Sequence, residues 1–409
     1  MDSVIFAGYN DPLNKTNATT EYNSVCGGYT WDATQTNRNQ IVSTTGKIKN
    51  LYVELDAAPG TGDDTYTFTL MYDGSPTALT CAIAGTATSA SDTTHEIDVV
   101  AGKIISLRVV SSGSPANAPN AQWTMMFSGT IANQSLILSN GLASEAVTGY
   151  MFASQGGISY TATETRVRQV CPTAGTISNM YVGLNSASGG DYRFTLRVNL
   201  ANSNDGSGNP LQLTILHGHI LGSDTTHVIT VAAGDVLDVM SEPLNSPAFE
   251  KTVSIGFLFT SAVDGESLIL GGAFTDQGQV TTRYNFITTT HKDTTWDTTE
   301  KSQLAQICIL KKLYVLLSAA PDNGAGSQSY TLSVRNNAGS PGGTLSVTIA
   351  EAATTGNDIA NTVTLANGDN IDIMSVPGNT PAISTAYWGL VCYIAPVLFR
   401  SYYPHILAH

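Results

Sequence analysis

Three stretches of this chain repeat one another at a fixed spacing, and that repeat restricts the possible folds more than any other feature. "DSVIFAG" from Asp2, "QSLILSN" from Gln134 and "ESLILGG" from Glu266 set Ser3, Ser135 and Ser267 at intervals of 132 residues. "IKNLYVELDAAPG", "ISNMYVGLNSASG" and "LKKLYVLLSAAPD" follow, aligned on Tyr52, Tyr181 and Tyr314. Further on, "SDTTHEIDVVAGKIISLRVV" is matched by "SDTTHVITVAAGDVLDVMS" and, more loosely, by "GNDIANTVTLANGDNIDIMS". A sustained period of this kind marks one structural unit built several times over. The units are residues 1–132, 133–264 and 265–395, and residues 396–409 have no counterpart.

Inside each unit the signal is strand. "NLYVEL", "YTFTLMY" and "KIISLRVV" alternate apolar and polar residues and favour β-branched and aromatic types. "APGTGDD", "NSNDGSGNP" and "DNGAGSQS" carry turn chemistry, and no window of helical length holds a 3.6-residue period. About eight short strands per unit predict an all-β chain of three tandem jelly-roll-like β-sandwich modules. The connections "TIANQ" and "SAVDGE" are too short to let modules roam, so a compact arrangement, pseudo-threefold or a short string, is expected.

The histidine phrase raises a choice between chemistry and architecture. His95 and His227 follow Asp92 and Asp224 by three residues, whereas the third copy has Asn361 after Asp358. A catalytic or metal-binding imidazole would not survive replacement by an amide, but a hydrogen-bonding group would. The aspartates are expected to hold backbone amides two or three residues on, as a polar lead-in to the strand. Gly102, Gly234 and Gly368 then supply a sharp turn between two strands.

The phrase V-x-A-G-D-x-L-x-V, seen here as "VAAGDVLDV", resembles the glycine-aspartate hairpin of tumour-necrosis-factor-like jelly rolls. The whole module, as in "SGSPTALTCAIAGTATSASDTTHEIDVVAGKIISLRVVSSGSPANA", resembles the jelly-roll repeats of virion structural proteins of tailed bacteriophages. The resemblance spans all three modules. It implies a place on the virion surface as capsid decoration, head fibre or tail-associated adhesin, with other virion proteins such as a capsid or tail protein as partners.

Composition narrows the chemistry. Lys and Arg number 18 against 32 Asp and Glu, a net charge of −14, and there is no basic cluster to displace counterions from phosphates. Nucleic acid is therefore not an expected partner. Charged residues make up 12%, half the usual share of about 25%; a hydroxyl- and amide-rich surface suits an extracellular or particle-bound β-protein. The first residues lack the pattern of a signal peptide and no segment predicts a membrane span, so synthesis in a host cytoplasm is expected.

No cofactor and no catalytic residue is expected: the chain lacks G-x-S-x-G, H-E-x-x-H and a phosphate-binding G-x-x-x-x-G-K-[ST] frame. His217 and His219 in "ILHGHIL" read as exposed residues on one face of a strand, and Asp63, Asp64 and Asp205 as solvated turn residues rather than metal ligands. Five cysteines have no zinc spacing. Cys171 and Cys308 fall at the place of Val42, and all are read as structural thiols. Trp31 and Trp296, with Tyr160 between them, precede Gln40, Gln306 and Gln169 in matching places, as sugar-stacking rings or as plugs of the sandwich core. The tail holds an apolar cluster, Leu398, Phe399, Tyr402 and Tyr403. It reads either as completing the third sandwich or as an anchor to a partner. The expected function is structural; the alternatives are a glycan-recognising adhesin, an extracellular filament subunit and a carbohydrate-active enzyme.

Overall fold

The structure is a computed structural model that describes residues 2–9, 11–144, 146–247, 251–273, 276–288, 292–293, 303–324, 326–337 and 345–395. Among the described residues there is no α-helix, only two single turns of 3₁₀ helix, Gln35–Asn37 and Glu164–Arg166. The first module contains β1 (Asp2–Tyr9), β2 (Thr20–Asn23), β3 (Gln40–Ile41), β4 (Gly46–Leu55), β5 (Thr65–Tyr72), β6 (Ser75–Ala84), β7 (Ser89–Val99), β8 (Ile104–Ser112) and β9 (Ala121–Gly129). One sheet has the order β1-β9-β4-β7 and the other β2-β8-β5-β6, with β3 beside β8. All these pairs are antiparallel. Only β5 and β6 form a hairpin; every other step between long strands crosses from one sheet to the other. This is the jelly-roll-like sandwich that the repeat predicts.

The second and third modules repeat the order. Gln134–Ala143, Lys251–Ser261, Gly175–Leu184 and Leu221–Asp224 stand for β1-β9-β4-β7 in one, and Glu266–Gly272, Ala386–Tyr393, Cys308–Leu317 and Thr355–Leu365 in the other. Alternation accounts for the cores. Tyr66, Phe68 and Leu70 point inward from β5, as do Tyr192, Phe194 and Leu196 and then Tyr330, Leu332 and Val334; all nine are fully buried. Each such side chain contributes about 1.5–3 kcal/mol relative to exposure. Trp123 and Trp388 lie in the same cores.

One backbone irregularity is built three times. The register of β4 shifts where "IKN" meets "LYV", and Asn50, Asn179 and Lys312 there have φ of 54°, 51° and 56°. Asparagine tolerates this left-handed conformation better than most residues, so Lys312 is the strained member of the set.

The three modules close into a ring. Ile5 and Ala7 of β1 face their own core, whereas Val4 and Phe6 lie in the core cluster of the third module. Likewise Leu136 and Leu138 enter the cluster of the first module, and Leu268 and Leu270 that of the second. The three opening strands touch one another pairwise and so surround a common axis. The turn glycines make a second set of contacts. A Cβ on Gly102 would lie 3.3 Å from the Tyr181 ring, and one on Gly234 would lie 4.0 Å from Tyr314. Beside Gly368, the Asn367 amide donates to the Tyr52 hydroxyl at 3.3 Å. The cycle runs from first module to second, second to third, and third back to first.

Backbones meet closely at these seams. A side chain at Gly256 would collide with the Ile41 carbonyl, and one at Gly389 with the Val170 carbonyl. In the third seam Gln303–Leu304 packs on β1 and β9. The buried glutamines Gln40, Gln169 and Gln303 hold the turn beside each seam. Cys26 N–H donates to Gln40 Oε1 at 2.8 Å, Ser154 N–H to Gln169 Oε1 at 2.9 Å and Thr288 N–H to Gln303 Oε1 at 3.0 Å. Gln40 also donates across the first seam to the Gln155 carbonyl at 3.0 Å. Gln303, rather than Gln306, is thus the third member of the set.

Candidate functional surfaces at the seams and strand edges

The repeated Asp-x-x-His unit is a clasp on the edge strand. Asp92 Oδ1 accepts from the amides of Thr94 and His95 at 3.0 and 3.2 Å, and its Oδ2 accepts from Thr80 N–H at 3.0 Å and meets His95 Nδ1 at 2.8 Å. Asp224 repeats this with Thr226, His227 and Gln212, and its Oδ2 lies 2.8 Å from His227 Nδ1. Asp358 does so with Ala360, Asn361 and Ser346, and Asn361 Nδ2 donates to it at 3.0 Å. Imidazole and amide fill one hydrogen-bonding role, as the sequence implies. The phrase is not a lead-in, however: in the first and third modules it lies within one strand, where the register shifts. The glycine turn after it joins opposite sheets and is therefore no hairpin.

Burial acts to raise the carboxyls of Asp92, Asp224 and Asp358, but the converging backbone and side-chain donors outweigh it and hold all three below the usual aspartate range. The bond to Asp224 raises His227. Both histidines are thereby fixed by their own clasp. Among the described residues no three His, Cys, Asp or Glu side chains come together as a metal site.

Equivalent buried positions on β8 differ in charge. Ser106 accepts from Gln35 Nε2 at 3.2 Å. Asp372 is bound bidentately by Arg335 at 2.9 and 2.5 Å, both side chains being buried. Asp238 is fully buried and neither of its oxygens has a hydrogen bond. Its cross-strand neighbour Arg197 pairs with Glu164 instead, at 2.8 and 3.2 Å. Burial, then the nearby Glu164 charge, push the Asp238 carboxyl well above the usual range.

Several expected site residues are relocated. Trp31 is 9% exposed, and its ring packs 5.4 Å from Trp123 and 6.3 Å from Phe68. A sugar-stacking ring needs a free face, so Trp31 is the core plug, not a platform. Tyr160 is half-buried against the second core. Trp296 and the tail residues Leu398, Phe399, Tyr402 and Tyr403 lie outside the described residues. His217 and His219 sit in an exposed turn, not on a strand. Asp64 and Asp205 accept local amides, Thr61 N–H at 3.2 Å and Ser207 N–H at 2.8 Å, as turn residues do, but Asp64 is buried rather than solvated.

The thiol reading holds for Cys26, Cys81 and Cys171, which are buried and free, and burial raises each of them. It fails for Cys308, which is disulfide-bonded to Cys392. Cys308 begins the strand equivalent to β4, the place of Gly46 and Gly175, while Cys392 stands at the place of Phe127 and Phe259. The position of Val42 and Cys171 belongs to Ala305: the amides of Gly102, Gly234 and Gly368 donate to the carbonyls of Val42, Cys171 and Ala305.

The seams carry two clefts of different character. That between the first and second modules, about 250 Å³, is lined by Ile41, Ile104, Leu184, Ile220 and Leu221 together with polar residues that include Asn39, Asp73 and Asn185. That between the third and first modules is lined by Tyr52, Glu54, Ser89, Ala90 and Ser91 with Leu304 and Gly368. No helix among the described residues is long and apolar enough to cross a membrane. The fold and surfaces define an all-β chain of three sandwiches joined by buried seams. No family model and no curated protein matches it.

Proposed function

We propose that the chain is a non-enzymatic structural protein on the outside of a bacteriophage particle, a capsid decoration or fibre component. The observation that carries this reading is the closed ring: three near-copies about one axis give a single chain the outline of a trimer. Such an outline suits seating on a threefold or trimeric partner, and the symmetry of closed assemblies makes that match natural. The sequence resemblance to jelly-roll repeats of virion proteins supports the same reading. So do the interior contacts repeated from module to module, which serve packing at each of the clasps, the turn glycines and the buried glutamines. The adhesin alternative loses Trp31, because that ring has no free face for a sugar.

Gold-labelled antibodies on particles purified from the source culture test the proposal. Label over heads or along fibres is expected. Particles without label would overturn it, and label confined to tail tips would transfer the protein to the adhesin class.

A further inference from the structure

The seam between the second and third modules shows what fills such a junction. Leu316 is buried there with Phe152, Val167, Val170 and Tyr387 in a cluster of its own, and Val236 packs against it. Backbone register assigns the equivalents at the other two seams. Leu316 pairs with Tyr387 as Gly183 pairs with Ser254 and Glu54 with Gln122. From the module before, Val170 pairs with Val236 as Ile41 does with Ile104 and Leu304 with Asn370. The seam between the third and first modules is bridged at this place by a polar bond, Asn370 Nδ2 donating to a Glu54 carboxylate oxygen at 3.0 Å. At the seam between the first and second modules, Leu316 and Tyr387 are replaced by Gly183 and Ser254, and the cleft of about 250 Å³ is lined by both.

The backbone does not require that glycine. Gly183 has no positive φ, and a Cβ on it would meet Ile41 Cδ1 at 3.8 Å and the Ile220 carbonyl at 3.9 Å, which are ordinary contacts. The mouth of the cleft departs from its counterparts in the opposite sense. Ile220, whose carbonyl accepts from Leu184 N–H, stands where the other modules have Thr88 and Thr354 accepting from Leu55 and Leu317. Leu221, opposite Gly183, stands where they have Ser89 and Thr355. Ile220 and Leu221 are 52% and 49% exposed. One seam of three has thus lost volume inside and gained apolar surface at its rim. Packing within the chain gains from neither change. A site that receives an apolar anchor from outside gains from both.

The filled seam also gives the size of that anchor, a leucine side chain in the place of Leu316. The rest of the lining suits a peptide. Asn39, Asn185, Thr36 and Thr252 carry neutral amides and hydroxyls, which match the N–H and C=O groups of a backbone. Asp73, the charged residue of the lining, is paired with Lys103 at 2.7 Å. The lining holds neither a cation for a phosphate nor an aromatic ring for a sugar. The cleft is also smaller than the roughly 300–1,000 Å³ of sites that enclose a whole small molecule.

We propose that this cleft is a docking site for a partner protein. It takes one leucine-like side chain from an exposed segment of the partner into the space beside Gly183 and Ser254, and its amide-bearing rim holds the backbone of that segment. The inference does not depend on the particle reading above.

NMR of the methyl-labelled full chain, titrated with the capped tripeptide acetyl-Ala-Leu-Ala-amide, tests it. Saturable shifts of the Ile41, Ile104, Ile220 and Leu221 methyls are expected, with a Kd on the order of millimolar. Acetyl-Ala-Ala-Ala-amide lacks the buried methylenes and is expected to bind about tenfold more weakly or worse. Two variants are expected to weaken the leucine peptide by about tenfold or more. Gly183→Leu installs the residue of the filled seam, and Ile220→Thr with Leu221→Ser installs those of the first module. Absence of saturable shifts, equal binding of the two peptides, or undiminished binding in either folded variant would overturn the proposal. Shifts that follow protein concentration without peptide would also overturn it, by giving the cleft to a second copy of the chain.

Discussion

The second and third modules solve two identical problems with different chemistry. Where the sheet begins, the second sets Gly175 beneath the Phe259 ring and the third sets Cys308 against Cys392. At the buried β8 position the second holds Asp238 without a hydrogen bond, and the third holds Asp372 gripped by Arg335. The first pair of solutions is interchangeable in volume: a small residue under a large one, or two medium ones bonded together. The second pair is not interchangeable, because Arg197 donates to Glu164, Asn202 and the Leu200 carbonyl and none of these bonds reaches Asp238. Repetition therefore fixes shape at a position more firmly than it fixes the residue.

Breaking the comparison at the charged position gives the largest expected effect. Asp372→Asn should destabilise the third module by about 3–5 kcal/mol, since it leaves the buried Arg335 without its counter-charge. Asp238→Asn should leave the second module unchanged or more stable in denaturant melts that resolve the modules. Burial raises the carboxyl of Asp238 and, against the pull of Arg335, that of Asp372, so both differ in pH behaviour from the clasps. A carboxyl raised on folding lowers stability as pH climbs above its unfolded value of about 3.9, and Asp238→Asn should remove that decline. The depressed clasp acids Asp92, Asp224 and Asp358 act in the opposite sense. Their stabilisation is complete above about pH 4 and is lost as pH falls below it toward their folded values.

Reducing the Cys308–Cys392 bond should cost about 2–4 kcal/mol in the third module and nothing in the other two. The Cys308→Gly, Cys392→Phe double variant sharpens the point: it installs the pair of the first module and should recover part of the loss, as read by thermal melts under reducing conditions. Smaller again is the clasp. Asp358→Ala removes the acceptor for three buried-edge amides and should cost about 1–3 kcal/mol. Asn361→His should change stability by less than about 0.5 kcal/mol, because the first two modules already use that group there.

Much of this was legible in the sequence. Period-2 alternation such as that of Tyr66, Phe68 and Leu70 announces strands, and the Asp92–His95 spacing announces a local clasp. The third module misled for a specific reason. "QLA" at Gln303 and "QIC" at Gln306 both imitate "QIV" at Gln40, and the second is the closer match by residue type. The chain there is one residue shorter before the strand, four positions from Val42 to Gly46 but three from Ala305 to Cys308, and only the backbone register reveals it. The ring itself had a signal of its own. "SVIF" and the two "SLIL" runs are apolar without alternation, the mark of a strand buried on both faces. The partner on the second face, another module, is set by contacts between residues more than a hundred positions apart, which no local pattern carries. Trp31 was ambiguous because a ring that caps a core and a ring that stacks on sugar need the same residue.

Closure of the ring is the claim on which the rest stands, and small-angle X-ray scattering of the purified full chain tests it most directly. A compact ring of 409 residues should give a radius of gyration of about 22 Å. A value above roughly 30 Å, as three modules of this size in a row would give, would contradict closure and with it the seam between the third module and the first.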